Sequence, residues 1–148
     1  MDELVASMQK CLANTFVYYF KAHGFHWNVE GVNFPEYHGF FGDLYESLHD
    51  AVDPIAEQIR ALNAYAPSGL NEMYASATIS DSTIKGAQVK EMLATLLMDN
   101  DTVSANLTEA FGLATAANKQ GLANFLADRI DQHAKHGWQL RSSLKGAY

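Results

Sequence analysis

Two histidines and two carboxylates carry the chemistry this sequence offers. His26 and His38 stand twelve residues apart, and Asp53 and Glu57 follow fifteen and nineteen residues beyond His38. Imidazole nitrogen with carboxylate oxygen and no thiolate suits iron, zinc or manganese rather than copper(I) or an iron–sulfur cluster. The charge around them is one-sided. Residues 22–59 contain no Lys or Arg, but hold Glu30, Glu36, Asp43, Glu46, Asp50, Asp53 and Glu57 together with His23, His26, His38 and His49. A solvated acidic face is the ordinary reading of such a run. Yet exposed helices usually mix signs to form i, i+4 pairs, and these carboxylates have no cationic neighbour in sequence. A divalent cation would supply the missing charge.

A di-iron centre inside one bundle would need E-x-x-H on two helices and a further Glu on each of the other two. E-x-x-H occurs once, at Glu46 to His49, and the last two long helical stretches carry only Glu91 and Glu109. The intra-bundle centre is therefore unsupported. Asp53 and Glu57 are one turn apart and share a helix face. At about 100° per residue, His38 and Asp53 differ by about 60° around their helix, whereas Asp43 points well away from that face.

The elements that must position these residues follow from apolar three- and four-residue steps. Leu4, Met8, Leu12, Phe16, Tyr19, His23 and Trp27 predict a first helix from about 3 to 29. Gly31 and Asn33 break it, and Pro35 suits the start of a second helix from about 35 to 62. Pro54 inside that helix should kink it or leave a carbonyl near residue 50 unpaired. Residues 64–82 form the longest connection, with room for a short helix around Leu70 to Tyr74. A third long helix is expected from about 86 to 117 and a fourth from about 119 to 144, with Gly121 loosening their junction.

Composition limits the alternatives. A chain of 148 residues, 48% hydrophobic and 18% charged, suffices for one domain over 1–148 with a real core. Its net charge of −7 repels phosphate backbones and favours cations as partners. The single cysteine, Cys11, forms no internal disulfide. The opening MDELVASMQK lacks the basic start and apolar run of a signal peptide, and no apolar stretch reaches membrane-spanning length. A soluble, cytoplasmic protein is expected.

The string HWNVEGVNFPEYH at 26–38, followed by DPIAEQIRAL at 53–62, resembles Dps, the ferritin-like mini-ferritins named DNA-binding proteins from starved cells. The family signature is a histidine opening H-W-N, a second histidine twelve residues on, and D-x-x-A-E fifteen residues further. It is matched by His26, Trp27, Asn28, His38, Asp53, Ala56 and Glu57, and RIDQHAKHGWQLRSSL at 129–144 is similar to the family's last helix. The resemblance implies an all-α, ferritin-like four-helix bundle with a short helix in the crossover, assembled as a hollow dodecamer. It implies ferroxidation: Fe(II) oxidised, preferentially by hydrogen peroxide rather than dioxygen, and stored as ferric mineral, protecting against oxidative damage. The implied iron ligands and catalytic residues are His26, His38, Asp53 and Glu57. Three positions depart from the pattern: Gly42 where many members have aspartate, Gln58 where arginine is usual, and Pro54. The missing aspartate weakens a second iron position most.

Spacing adds an independent expectation. Asp53 lies about 22 Å along the second helix from His38, beyond the reach of any side chain. One chain therefore cannot bring all four ligands to one ion. A second copy, related by a twofold axis near Glu46 and Ser47, can do so twice per dimer. Among the remaining residues, Trp27 reads as core packing, or beside an oxidising iron as an interceptor of stray oxidising equivalents; Tyr18, Tyr19, Phe40 and Phe41 read as core and interface, and His49 as packing or as support behind the metal ligands. His133 and His136 are expected to face solvent or a subunit contact. Asp128 and Asp131 are candidates to line an ion-entry pore of the shell. Two other functions compete with iron oxidation. A DNA-compacting structural protein of the same fold would need a basic arm, and residues 1–12 offer only Lys10 against Asp2 and Glu3. A metal-free helical oligomer would use the acidic stripe only for solubility.

Overall fold

Helices form where the apolar steps run, and their ends fall where backbone hydrogen bonds are diverted elsewhere. The computed structural model describes residues 1–148 as five helices: α1 (Asp2–Asn28), α2 (Phe34–Ala61), α3 (Leu70–Ser76), α4 (Val89–Ala116) and α5 (Gln120–Leu144). The four long helices and the short crossover helix match the pattern read from sequence. The start of α4 is later than expected, because Gly86 is committed elsewhere. Its N–H donates to the Asn28 carbonyl at 2.9 Å and its carbonyl accepts from Glu30 N–H at 3.1 Å. Its φ of 84° is also outside the helical range. The α4–α5 junction turns on Asn118, at φ 58°, while Gly121 lies inside α5. α2 continues through Pro54. Proline has no N–H, so the Asp50 carbonyl lacks the helical donor that residue 54 would otherwise supply.

α1 packs against α2 and α4, α4 against α5, and α3 against α1. The long crossover returns the chain to the end where α2 began, so α4 runs antiparallel to α1. Cross-helix pairs record that register: Lys10 with Glu109, Asn14 with Asn106, Tyr18 with Asn100 and Lys21 with Asp99. Met8, Leu12, Phe41, Leu48, Ile55, Leu93, Leu96, Leu107 and Leu126 fill the interior. Tyr18 and Phe41 are fully buried, as expected, whereas Tyr19 and Phe40 are half-buried. No helix is long and apolar enough to cross a membrane.

The α1–α2 turn is tied down from the far end of the sequence. Tyr148 Oη donates to the Glu30 carbonyl at 3.1 Å, and Lys90 N–H donates to the Tyr148 carbonyl at 2.6 Å. Gly31 adopts φ 131°, and a Cβ there would collide with the Tyr148 phenol. This clamp holds the two helix ends that carry His26 and His38.

Candidate metal centre

His26 occupies the last turn of α1 and His38 the second turn of α2, directly across the hairpin. Their rings stack with centroids 3.8 Å apart and planes 17° from parallel, and Phe34 stacks on His38 at 4.9 Å. Each Nδ1 donates to the other residue's backbone oxygen: His26 Nδ1 to the His38 carbonyl at 2.6 Å, and His38 Nδ1 to the His26 carbonyl at 2.8 Å. The His26 carbonyl is among the four that α1 leaves without helical donors, so His38 also caps that helix. A proton on Nδ1 leaves the lone pair on Nε2. Metal-binding histidines are commonly held in this form by such a second hydrogen bond.

Asp53 and Glu57 are exposed on the outer part of α2 and engage in no ion pair. The other five acids of the 22–59 stretch are equally unpaired. The structure thus brings His26 and His38 together and leaves Asp53 and Glu57 apart from them. No three His, Cys, Asp or Glu side chains of one chain gather closely enough to hold an ion.

A half-buried aromatic cluster flanks the histidine pair and was not singled out from sequence. Tyr19 Oη lies 3.0 Å from His23 Nδ1, His23 stacks on Tyr45 at 3.7 Å and 7°, and Tyr45 approaches His26 at 5.2 Å. Burial, with His26 and His49 nearby, holds the His23 imidazole below its usual range. The signal was available: Tyr19, His23 and Trp27 recur every four residues on α1. Trp27 corrects an expectation, because it is 57% exposed rather than core. Its ring lies on His23 at 4.2 Å, outside the bundle. His49 is exposed, with its ring 4.9 Å from that of Tyr19.

His133 and His136 correct a second expectation: both are buried, not turned to solvent. His133 Nδ1 donates to Asn100 Oδ1 at 2.9 Å and Nε2 accepts from Arg129 at 3.2 Å, while Asn100 Nδ2 donates to the His133 carbonyl at 2.9 Å. Tyr18 adds a hydroxyl donor to Asn100 Oδ1 at 3.3 Å. Neutral His133 is therefore fully satisfied, and burial beside Arg129 holds it well below its usual range. Burial and the Arg129 charge likewise push His136, whose Nε2 lies 3.3 Å from Ser47 Oγ, down to about 4. Both folded-state values lie below the unfolded value near 6.5, so the stability they confer is complete above that pH. The His136 contribution is lost as the pH falls from about 6.5 towards 4, by on the order of 3 kcal/mol per chain. Melting followed by circular dichroism should show this acid slope, and His136→Gln should flatten it. An unchanged slope would remove His136 as a cause.

Asp128 and Asp131 are exposed on α5, Asp131 paired with Lys135 at 3.8 Å. In comparisons with known proteins, residues 5–146 match the family model for the ferritin-like domain. The DNA protection during starvation protein of Brevibacillus brevis is 31% identical, covering 98% of this chain and 97% of that one. Dps of Vibrio cholerae O1, described as a member of a broad superfamily of ferritin-like diiron-carboxylate proteins, superposes with a TM-score of 0.91 at 25% identity. That match covers 97% of this chain and 89% of the other. Dps of Staphylococcus aureus gives 0.89 at 28% identity, covering 97% and 96%.

Proposed function

On the premise that the chain belongs to the ferritin-like family and, within it, to the Dps proteins, we propose that it is a ferroxidase. It takes Fe(II) as substrate, oxidises it in preference with hydrogen peroxide, and stores the ferric product inside a hollow dodecamer. His26 and His38 of one chain, with Asp53 and Glu57 of a second, form each site. The observation that carries this reading is the reciprocal hydrogen bonding of the histidine pair, which fixes both Nδ1 protons and leaves both Nε2 atoms as donors to a cation.

The division of labour follows from charge. Neutral imidazoles bind Fe(II) without changing the net charge of the site. The two carboxylates oppose the extra charge of Fe(III) and so favour electron loss. Each Fe(II) releases one electron and each peroxide accepts two, so two Fe(II) are consumed per peroxide reduced to water. Fe(II) added anaerobically, then mixed with peroxide or with dioxygen, should give near-ultraviolet ferric absorbance, faster with peroxide, and iron that stays with the protein on gel filtration. Oxidation no faster than in protein-free buffer would overturn the reading.

Duplex DNA should bind weakly. Twelve chains at −7 carry about −84, and residues 1–12 offer only Lys10 against Asp2 and Glu3 to meet phosphates across that field. A gel shift at about 0.15 M salt and neutral pH should show no complex. A stable complex there would refute this expectation and favour a DNA-compacting role.

A further inference from the structure

The torsion that turns a histidine ring about its Cβ–Cγ bond is broad, so a half-buried imidazole keeps one plane only where its neighbours hold it. His38 is half-buried, and both faces of its ring are covered. On one side lies His26, at 3.8 Å and 17°, level with the following turn of α2: a Cβ at residue 42 would come within 3.1 Å of His26 Nδ1. On the other lies Phe34, one turn before His38, at 4.9 Å and 23°. Helical side chains lean towards the helix N-terminus, so His38 leans onto the residue four before it. Phe34 is the first residue of α2, and its backbone N–H donates to the Gly31 carbonyl at 3.1 Å, so the hairpin turn sets where that ring starts. Phe34 does little else within the chain. It is 39% exposed, and belongs neither to the buried core nor to the half-buried side chains packed against it.

We infer that Phe34 is a positioning residue: its ring holds the His38 imidazole in the plane where Nδ1 reaches the His26 carbonyl and Nε2 is presented to a divalent cation. The part concerning the cation rests on the proposed metal centre; the part concerning the ring does not. The stack fixes the plane, and the 2.8 Å bond from Nδ1 fixes which edge of the ring points outward. A flat ring at 34 does this and a branched aliphatic side chain does not, because only parallel faces resist rotation of the imidazole between them. A cation on Nε2 also withdraws electrons from the imidazole, which strengthens its attraction to the electron-rich phenyl face. Aromatic pairs of this geometry shift an equilibrium by about two- to tenfold beyond the area they bury.

The test uses the whole assembled protein and needs no turnover. Solid-state nitrogen NMR of the metal-free protein, labelled on histidine and assigned with His38→Ala, should show His38 protonated on Nδ1 alone in the parent and in Phe34→Tyr. In Phe34→Leu, which keeps an apolar cover without a flat face, a second population protonated on Nε2 should appear. Anaerobic equilibrium binding of Fe(II) alone should be about two- to tenfold weaker in Phe34→Leu and close to parental in Phe34→Tyr. Parental nitrogen signals or parental Fe(II) affinity in Phe34→Leu would overturn the positioning role, as would equal losses in the leucine and tyrosine variants. A lowered melting temperature with unmoved nitrogen signals would mark an ordinary structural contact and overturn it too. If the parental protein bound no Fe(II), the metal centre would fall, while the nitrogen spectra would still decide what Phe34 does to His38.

Discussion

Chains lacking His26 and His38 and chains lacking Asp53 and Glu57 should each be inactive alone, yet recover about a quarter of the parental iron-oxidation rate when dissociated, mixed equally and reassembled. The reason is distance. His26 and His38 stack across the α1–α2 turn, while Asp53 is fifteen residues, about 22 Å of helical rise, further along α2. An Asp or Glu side chain spans only a small fraction of that length. In the proposed dimer, a twofold axis near Glu46 and Ser47 would place one chain's carboxylates opposite the other's histidines, giving two equivalent sites. In a mixed dimer one site combines the intact histidines of one chain with the intact carboxylates of the other, and the second site is empty on both sides. Random pairing makes half the dimers mixed, hence about one site in four restored. The paired substitutions His26→Ala/His38→Ala and Asp53→Ala/Glu57→Ala, assayed by ferric absorbance before and after reassembly, measure this directly. Mixed assemblies that stay inactive, or a crystal with all four ligands from one chain, would defeat the shared site.

Replacing a single carboxylate should be nearly as damaging. Asp53→Asn and Glu57→Gln keep size and hydrogen-bonding capacity but remove one negative charge from a site whose substrate gains positive charge on oxidation. At an effective dielectric constant near 20, one unit charge about 4 Å away contributes about 4 kcal/mol to a charge gain of one. Solvent access and relaxation reduce this, and a fall of at least about tenfold in rate remains the expectation, since tenfold needs only about 1.4 kcal/mol. Both residues are exposed and free of ion pairs within the chain, so helicity by circular dichroism should be unchanged. Parental rates in either variant would remove that carboxylate from the site.

The helices were legible because helix formation is local. Apolar steps of three and four, Pro35 at a helix start and Gly31 at a turn place the long helix boundaries within about three residues of those observed. The single misplacement of that size, at the start of α4, came from Gly86 bonding back to Asn28 and Glu30, which are distant in sequence. The candidate ligands were legible for a similar reason, since the twelve-residue step from His26 to His38 spans one short hairpin. The same holds for the claim that Asp53 is out of reach, which needs only the rise of an α-helix.

Side-chain burial and orientation were not legible, because they are settled between helices. His133 and His136 share the stripe of Leu122, Leu126, Arg129 and Leu140 on α5 at steps of four and three, so their position on the core face was available. Their polarity argued against burial; Asn100, thirty-three residues earlier on α4, and Arg129 reverse that argument by satisfying the His133 ring, and Ser47 of α2 meets His136. Trp27 failed in the opposite sense, an apolar residue left outside the bundle with its ring against His23 and Phe20 of its own helix. Residue types and helical spacing by themselves determined the bundle, the candidate ligands and the distance that divides them. Tertiary structure alone decided which nitrogen of each histidine carries its proton, because that depends on how closely two helices approach across the hairpin.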